Sequence, residues 1–308
     1  MAKYPVPAPW TSLWESFTLY LEAEAGASPN TTEAYGYALT ALARWMEGAG
    51  GVVPLDQISP EQLRAFLATG QRSTPSFRYR GLKRFFNWLE AEAEIKSNPF
   101  AVIKEPALPT DFPQVLGDGE LRSLLRACEG TEFNDRRDLA LIRFLLDTGA
   151  RRAEIAVMTL DDLEVRNHRA MVGARVVDKD YPKSGVRQVA FGKKTALALD
   201  RYLRTRSRHP HGQEPWLWLG ERGRLSGDGQ FQAVQRRFRS VGLNPKSAVH
   251  VFRHTFSHNW QADQDSKEGD LMRLQGWKDR RMLDRYGASA AHQRALAAHQ
   301  RLNLGDRI

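Results

Sequence analysis

Three short stretches, with one tyrosine beyond them, carry groups that can hold an anion or attack one. His250-Val251-Phe252-Arg253-His254 sets an imidazole and a guanidinium on one side of a helix. By itself a His-x-x-Arg is what chance supplies in an Arg-rich chain with 8 His. In Thr148-Gly149-Ala150-Arg151-Arg152-Ala153-Glu154 a glycine ends one helix and an arginine opens the next, aimed at whatever lies at the corner. Leu274-Gln275-Gly276-Trp277 is a further turn, and Tyr286 follows it nine residues later. His250, His254 and His258 recur every four residues, a spacing a helical metal site would use. Arg253 places a fixed cation inside that cluster, no His-Glu-x-x-His is present, and Cys128 is the only cysteine, so no metal is expected.

These stretches sit in a basic chain. Lys and Arg number 45 against 36 Asp and Glu, a formal net charge of +9 over 308 residues, the balance of a polyanion binder. Up to Pro106 there are 10 basic and 11 acidic residues, which leaves 35 and 25 beyond it, so the excess belongs to the C-terminal two-thirds. A lone cysteine excludes an intrachain disulfide. No apolar run approaches the roughly 18 residues of a membrane span. The start, Met-Ala-Lys-Tyr-Pro-Val-Pro, lacks the basic-then-apolar order of an export signal, so a cytoplasmic protein with no membrane partner is expected.

The elements that must position these groups fall into two domains. Residues 8–97 read as four helices: 8–25, then a helix through Tyr35, Leu39, Leu42 and Trp45, one opened by Ser59-Pro60-Glu61, and 76–93. On the last, Arg78, Arg80, Lys83 and Arg84 cluster, either a solvated face or a helix laid against a DNA backbone or groove. Residues 98–113 hold four prolines and no periodic pattern and read as an extended linker. Beyond it, 114–308 should contain helices at 118–128, 136–147 and 151–158. A small sheet follows, with strands at 174–177 and 186–191 around a long hairpin tip, and then helices at 195–206, 228–241, 250–261, 267–276, 279–286 and 289–302. The class is mainly α, two domains, with one small antiparallel sheet in the second.

The order Thr-Gly-Ala-Arg-x-x-Glu, a lysine in a β-hairpin, His-x-x-Arg-His, Leu-x-Gly-Trp and a tyrosine nine positions on resembles the tyrosine recombinase (phage integrase) family. Upstream, Ser28-x-x-Thr31-x-x-x-Tyr35, Phe85-Phe86-Asn87-Trp88-Leu89, Asn98-Pro99 and Phe112-Pro113-Gln114-Val115-Leu116 with Glu120 and Leu124 are similar to the core-binding domain and linker of Xer-like members. The resemblance spans about residues 10 to 290. It implies a SAM-like core-binding domain at 8–97 and a catalytic domain with a C-terminal tail helix at 114–308. The two would close as a clamp on a duplex. With the first module starting near residue 10, no added arm-binding domain is expected.

Residue by residue, the resemblance implies that Arg151 and Arg253 hold the scissile phosphate and that Tyr286 attacks it to form a 3′-phosphotyrosyl link. His250 matches the histidine that bonds the phosphate and helps move the tyrosine proton. Glu154 and Asp162 match the acidic positions that support the first arginine and the histidine. Trp277 stands where most members have histidine, and its indole N–H can still donate to a phosphate oxygen. Two lysines compete for the general acid: the incoming strand of the hairpin favours Lys179 and the outgoing strand Lys183, with Lys179 ranked marginally first. Guanidinium forks suit phosphate oxygens, and phosphoryl transfer is mostly positioning and charge neutralisation.

The expected activity is site-specific DNA recombination, Xer-like or integrase-like, with no cofactor, metal or ATP. The partners would be double-stranded DNA with inverted half-sites and a homo-oligomer, a tetramer on two sites, or a paired recombinase. The rivals are a catalytically silent, architectural DNA-binding relative and a relaxing enzyme of the type IB topoisomerase kind.

Overall fold

Two serines set helix starts in the N-terminal part of the chain. Ser28 Oγ accepts from the Thr31 amide at 3.3 Å, and Ser59 and Gln62 exchange bonds in a reciprocal cap at 2.8 and 3.2 Å. A proline with its φ already helical follows each. The computed structural model describes residues 6–70, 74–107, 113–173, 185–263, 265–303 and 305. It divides into two units, Met1–Asp111 and Phe112–Ile308.

The first unit holds α1 (Thr11–Ala23), α2 (Pro29–Gly48), α3 (Pro60–Ala68) and α4 (Thr74–Ala91). Their apolar stripes meet in an aromatic core in which the Phe17 ring lies 5.0 Å from Phe85 and 5.3 Å from Trp88. Residues 98–103 were expected to be linker, yet they join this core. Asn98 Oδ1 accepts from the Phe100 amide at 2.9 Å to cap the 3₁₀ turn Pro99–Val102, and Phe100 and Ile103 are buried. Burying two such side chains contributes roughly 1.5–3 kcal/mol each, enough to fold a segment that its prolines alone would leave extended.

In the second unit, α5 (Asp118–Arg126) and α6 (Phe133–Thr148) lead to a short α7 (Arg152–Ala156). Strands β1 (Leu163–Glu164), β2 (Arg169–Val172) and β3 (Arg187–Ala190) form an antiparallel sheet in the order β1-β2-β3, with Ala170 opposite Val189. The incoming strand expected at 174–177 lies outside the described residues, and β2 is the strand that pairs with β3. Then come α8 (Lys193–Arg206), a minimal ladder of β4 (Leu219–Gly220) with β5 (Gly223–Arg224), α9 (Gly227–Ser240), α10 (His250–Ala262), α11 (Glu268–Gln275) and α12 (Arg281–Leu302). Buried Leu141, Phe144 and Leu145 of α6 share one core with Leu199 and Tyr202 of α8 and Phe252 of α10.

One boundary differs from expectation. The sequence pattern separates a helix at 279–286 from one at 289–302, whereas α12 runs through both. Gly287, which suggests a break, is buried against α10, where a Cβ would overlap the Gln261 side chain. This glycine permits close helix approach instead of ending the helix. Leu283 and Ala290 are buried on the same helix, while Leu296 and Leu302 are exposed. The fold is thus mainly α with small antiparallel sheets. Among the described residues no helix is long and apolar enough to cross a membrane.

Candidate active site

The site is built where two chain turns meet the start of α10. Gly149 ends α6 in the left-handed region, at φ 57°, a conformation open to glycine at little cost. Its amide bonds back to Leu145 O at 2.9 Å. The turn delivers Arg151 as the residue before α7, and Glu154 bonds it twice. The Arg151 amide donates to Glu154 Oε2 at 2.7 Å and Arg151 Nη1 donates to Oε1 at 2.8 Å.

Arg253, in the first turn of α10, is 1% exposed. Its Nη1 donates to the Gly149 carbonyl at 2.9 Å and its Nη2 to the Gln275 carbonyl at 2.7 Å. Gln275 Nε2 in turn donates to Thr148 O at 3.2 Å. The Arg253 side chain therefore joins the end of α6 to the end of α11. After Gln275 the chain turns at Gly276, φ 61°, and a Cβ there would lie 3.7 Å from Arg151 Nη1. Trp277 follows, buried, with the Arg253 guanidinium carbon 5.4 Å from its ring centroid. The structure thus brings Arg151, Glu154, Arg253 and Trp277 into one neighbourhood.

His250 begins α10, and its ring meets that of His254 edge to face at 4.7 Å. Asp162 Oδ2 accepts from the Thr159 amide and hydroxyl at 2.8 and 2.9 Å, closing the 3₁₀ turn Leu160–Asp162. Tyr286 falls on α12. Lys179 and Lys183 lie outside the described residues. Among the described residues no group of three His, Cys, Asp or Glu is placed to hold a metal ion.

A residue that sequence reasoning missed completes the centre. Arg187, the first residue of β3, donates Nη1 to Glu154 Oε1 at 2.7 Å and Nη2 to Oε2 at 2.9 Å. Glu154 is wholly buried. Burial pushes its carboxyl up, but the bonds and charge of Arg187, with the amide and guanidinium of Arg151, outweigh this and bring it down to about 2. The only sequence signal for Arg187 is a charged residue at the start of an apolar strand, and nothing local ties it to a carboxylate 33 positions away.

The basic residues of α4 make local contacts. Arg78 donates to Thr69 and its guanidinium carbon lies 4.5 Å from the Phe66 ring centroid. Arg80 Nε is 3.5 Å from Glu105 Oε1. Lys83 donates to Tyr79 Oη at 3.1 Å and Arg84 to Tyr20 Oη at 3.0 Å. At about 100° per residue, Arg80, Lys83 and Arg84 share one side of the helix and Arg78 lies on the other.

Comparison with known proteins agrees with this architecture. Residues 114–293 match the phage integrase family, and residues 14–93 match its N-terminal SAM-like domain. The tyrosine recombinase XerC of Chromohalobacter salexigens is 31% identical over 250 residues, 78% of this chain and 79% of the relative. The fold is similar to that of the Tn1549 transposon integrase in complex with a circular intermediate DNA, with TM-score 0.74, 20% identity, and 94% of this chain and 99% of that one covered. It is also similar to that of lambda integrase in a tetramer bound to a Holliday junction, with TM-score 0.65, 16% identity, and 86% and 76% covered. Both units of the chain are accounted for by these matches, and the chain belongs to the phage integrase family, the tyrosine recombinases, with Xer-type enzymes among its relatives.

Proposed function

We propose that the chain is a site-specific recombinase that cuts and rejoins DNA strands through Tyr286. The observation that carries this reading is the pair of bonds from Arg253 to the Gly149 and Gln275 carbonyls. They hold one buried guanidinium beside the turn that delivers the other, Arg151. Two fixed cations on one phosphate stabilise the charge that builds on its oxygens as the attacking oxygen arrives.

In the reaction the Tyr286 oxygen bonds to phosphorus, the bond from phosphorus to the 5′-oxygen breaks, and the DNA is left joined at its 3′ end to the enzyme. His250 takes the phenolic proton, which a group of ordinary pKa about 10 releases slowly near neutrality. A hairpin lysine, Lys179 or Lys183, gives a proton to the leaving 5′-oxygen. Trp277 supplies the third donor to the phosphate, and Asp162 orients His250. Attack by a 5′-hydroxyl from a second duplex reverses these steps on a new partner. The phosphotyrosine keeps the bond energy, so the sequence of steps balances without ATP or a metal.

Arg80, Lys83 and Arg84 on α4 would track the DNA backbone, with Arg78 bracing the helix behind them. The substrate is duplex DNA with inverted half-sites of about 11 base pairs, near one helical turn, in the nucleoid. Four copies act on two sites. Support for this assembly is the end of α12, where Leu296 and Leu302 stay exposed, beyond the buried Ala290.

The test starts from the sequence that the protein selects from a random duplex pool. A supercoiled plasmid with two such sites should give recombinant circles, and a one-site plasmid should not be relaxed to completion. Relaxation without recombinants would mean a topoisomerase, and binding without either product would mean an architectural protein.

A further inference from the structure

Glu154 has more positive charge around it than one supporting carboxylate needs. Arg151 approaches Oε1 with one nitrogen, but Arg187 takes both oxygens in a fork, the strongest geometry a carboxylate offers. The Arg187 side chain is 10% exposed against 30% for Arg151, so Arg187 faces inward and Arg151 is the partner left toward solvent. Arg187 Nε also donates to Leu274 O at 2.6 Å. That carbonyl is one residue before Gln275, whose own carbonyl receives Arg253. One side chain at the start of β3 therefore bonds both the carboxylate that holds Arg151 and the turn to which Arg253 donates.

We infer that Arg187 is a positioning residue for strand cleavage: it neutralises Glu154, so that the carboxylate orients Arg151 without absorbing its charge, and it fixes the Leu274–Gln275 turn against which Arg253 is held. Without Arg187 the buried Glu154 has Arg151 as its nearest compensating cation. Arg151 is then drawn onto the carboxylate and its charge is spent there instead of on a phosphate. Removing both partners together, Arg187 and the Glu154 charge, keeps the local net charge of the wild type and returns Arg151 to the phosphate.

This rests on the strand-cleavage reading, and the test separates the two. R187M, E154Q and the double variant R187M/E154Q are compared with wild type on a nicked duplex carrying the selected site. Affinity and the rate of covalent adduct formation are measured per DNA-binding-competent molecule, so that loss of folded protein does not count. R187M should keep its DNA affinity within about threefold while adduct formation slows roughly 30-fold or more. The double variant should cleave at least about tenfold faster than R187M, because the Glu154 charge is gone and only the Leu274 contact stays lost, instead of showing the product of the two single effects. A merely structural anchor gives no such rescue. R187M cleaving within about threefold of wild type, or a double variant slowed by the product of the singles, overturns the role of Arg187. No adduct from the wild-type protein overturns the cleavage reading itself, and the role of Arg187 with it.

Discussion

Arg253 and Gln275 are joined by a 2.7 Å bond from a guanidinium nitrogen to a main-chain carbonyl, and this bond places the α11–Trp277 turn beside the arginine corner at Gly149. A side chain 1% exposed braces two turns, and in the proposed reaction it also brings its charge to the phosphate. Arg253→Lys keeps the charge, but one ammonium on a flexible stem does not reproduce the planar fork. Cleavage by this variant should fall by about 100-fold or more while DNA binding persists, as read from single-turnover adduct formation and a binding titration. Cleavage within a few-fold of wild type would assign Arg253 to charge alone.

Glu154 makes stability depend on acid. Its folded pKa, about 2, lies below the ordinary value of 4.5, so its contribution is fully present above that ordinary value and is lost as pH falls toward 2. The difference corresponds to roughly 3 kcal/mol. Urea unfolding midpoints taken between about pH 6 and pH 2.5 should decline less steeply for Glu154→Gln than for wild type. Parallel declines would mean that Glu154 is not held ionised by its guanidinium partners.

Lys179→Ala and Lys183→Ala should differ sharply in cleavage. The deficient variant should recover on a substrate whose leaving 5′-oxygen is replaced by sulfur, since a thiolate leaves without a proton. Equal, mild effects from both would remove the hairpin lysines from the proton transfer.

The end of α12 gives an assembly prediction. Deleting residues 296–308 removes the exposed Leu296 and Leu302 and leaves Leu283, Gly287 and Ala290 packed. The shortened protein should bind one half-site as before but lose cooperative occupancy of two, seen in gel-shift titrations, and lose recombination. Unchanged cooperativity would make this end a terminal helix with no part in assembly.

What could be read from the residues alone follows the range of the physics involved. Helix periodicity and caps are local, so Ser59-Pro60 and the stripe Leu82, Phe85, Phe86, Leu89 announce α3 and α4, and the motif order locates Arg151, Arg253 and Trp277. Three features depended on partners far along the chain. Phe100 and Ile103 look like linker until α4 supplies Tyr79, whose hydroxyl donates to Ile103 O. Gly287 looks like a break until Gln261 explains it. Arg187 becomes part of the site only through Glu154 and Leu274, 33 and 87 positions away.

The central claim is that Tyr286 becomes bonded to DNA, and a covalent-complex assay tests it most directly. On a nicked duplex carrying the selected site, wild type should form a denaturation-resistant protein–DNA adduct whose proteolytic digest yields a nucleotide-linked peptide containing Tyr286. Tyr286→Phe should bind the same duplex nearly as tightly, because one hydroxyl is a small part of a face built from many phosphate contacts, and it should form no adduct. An adduct that persists in Tyr286→Phe, or one that maps to another residue in wild type, would contradict the account.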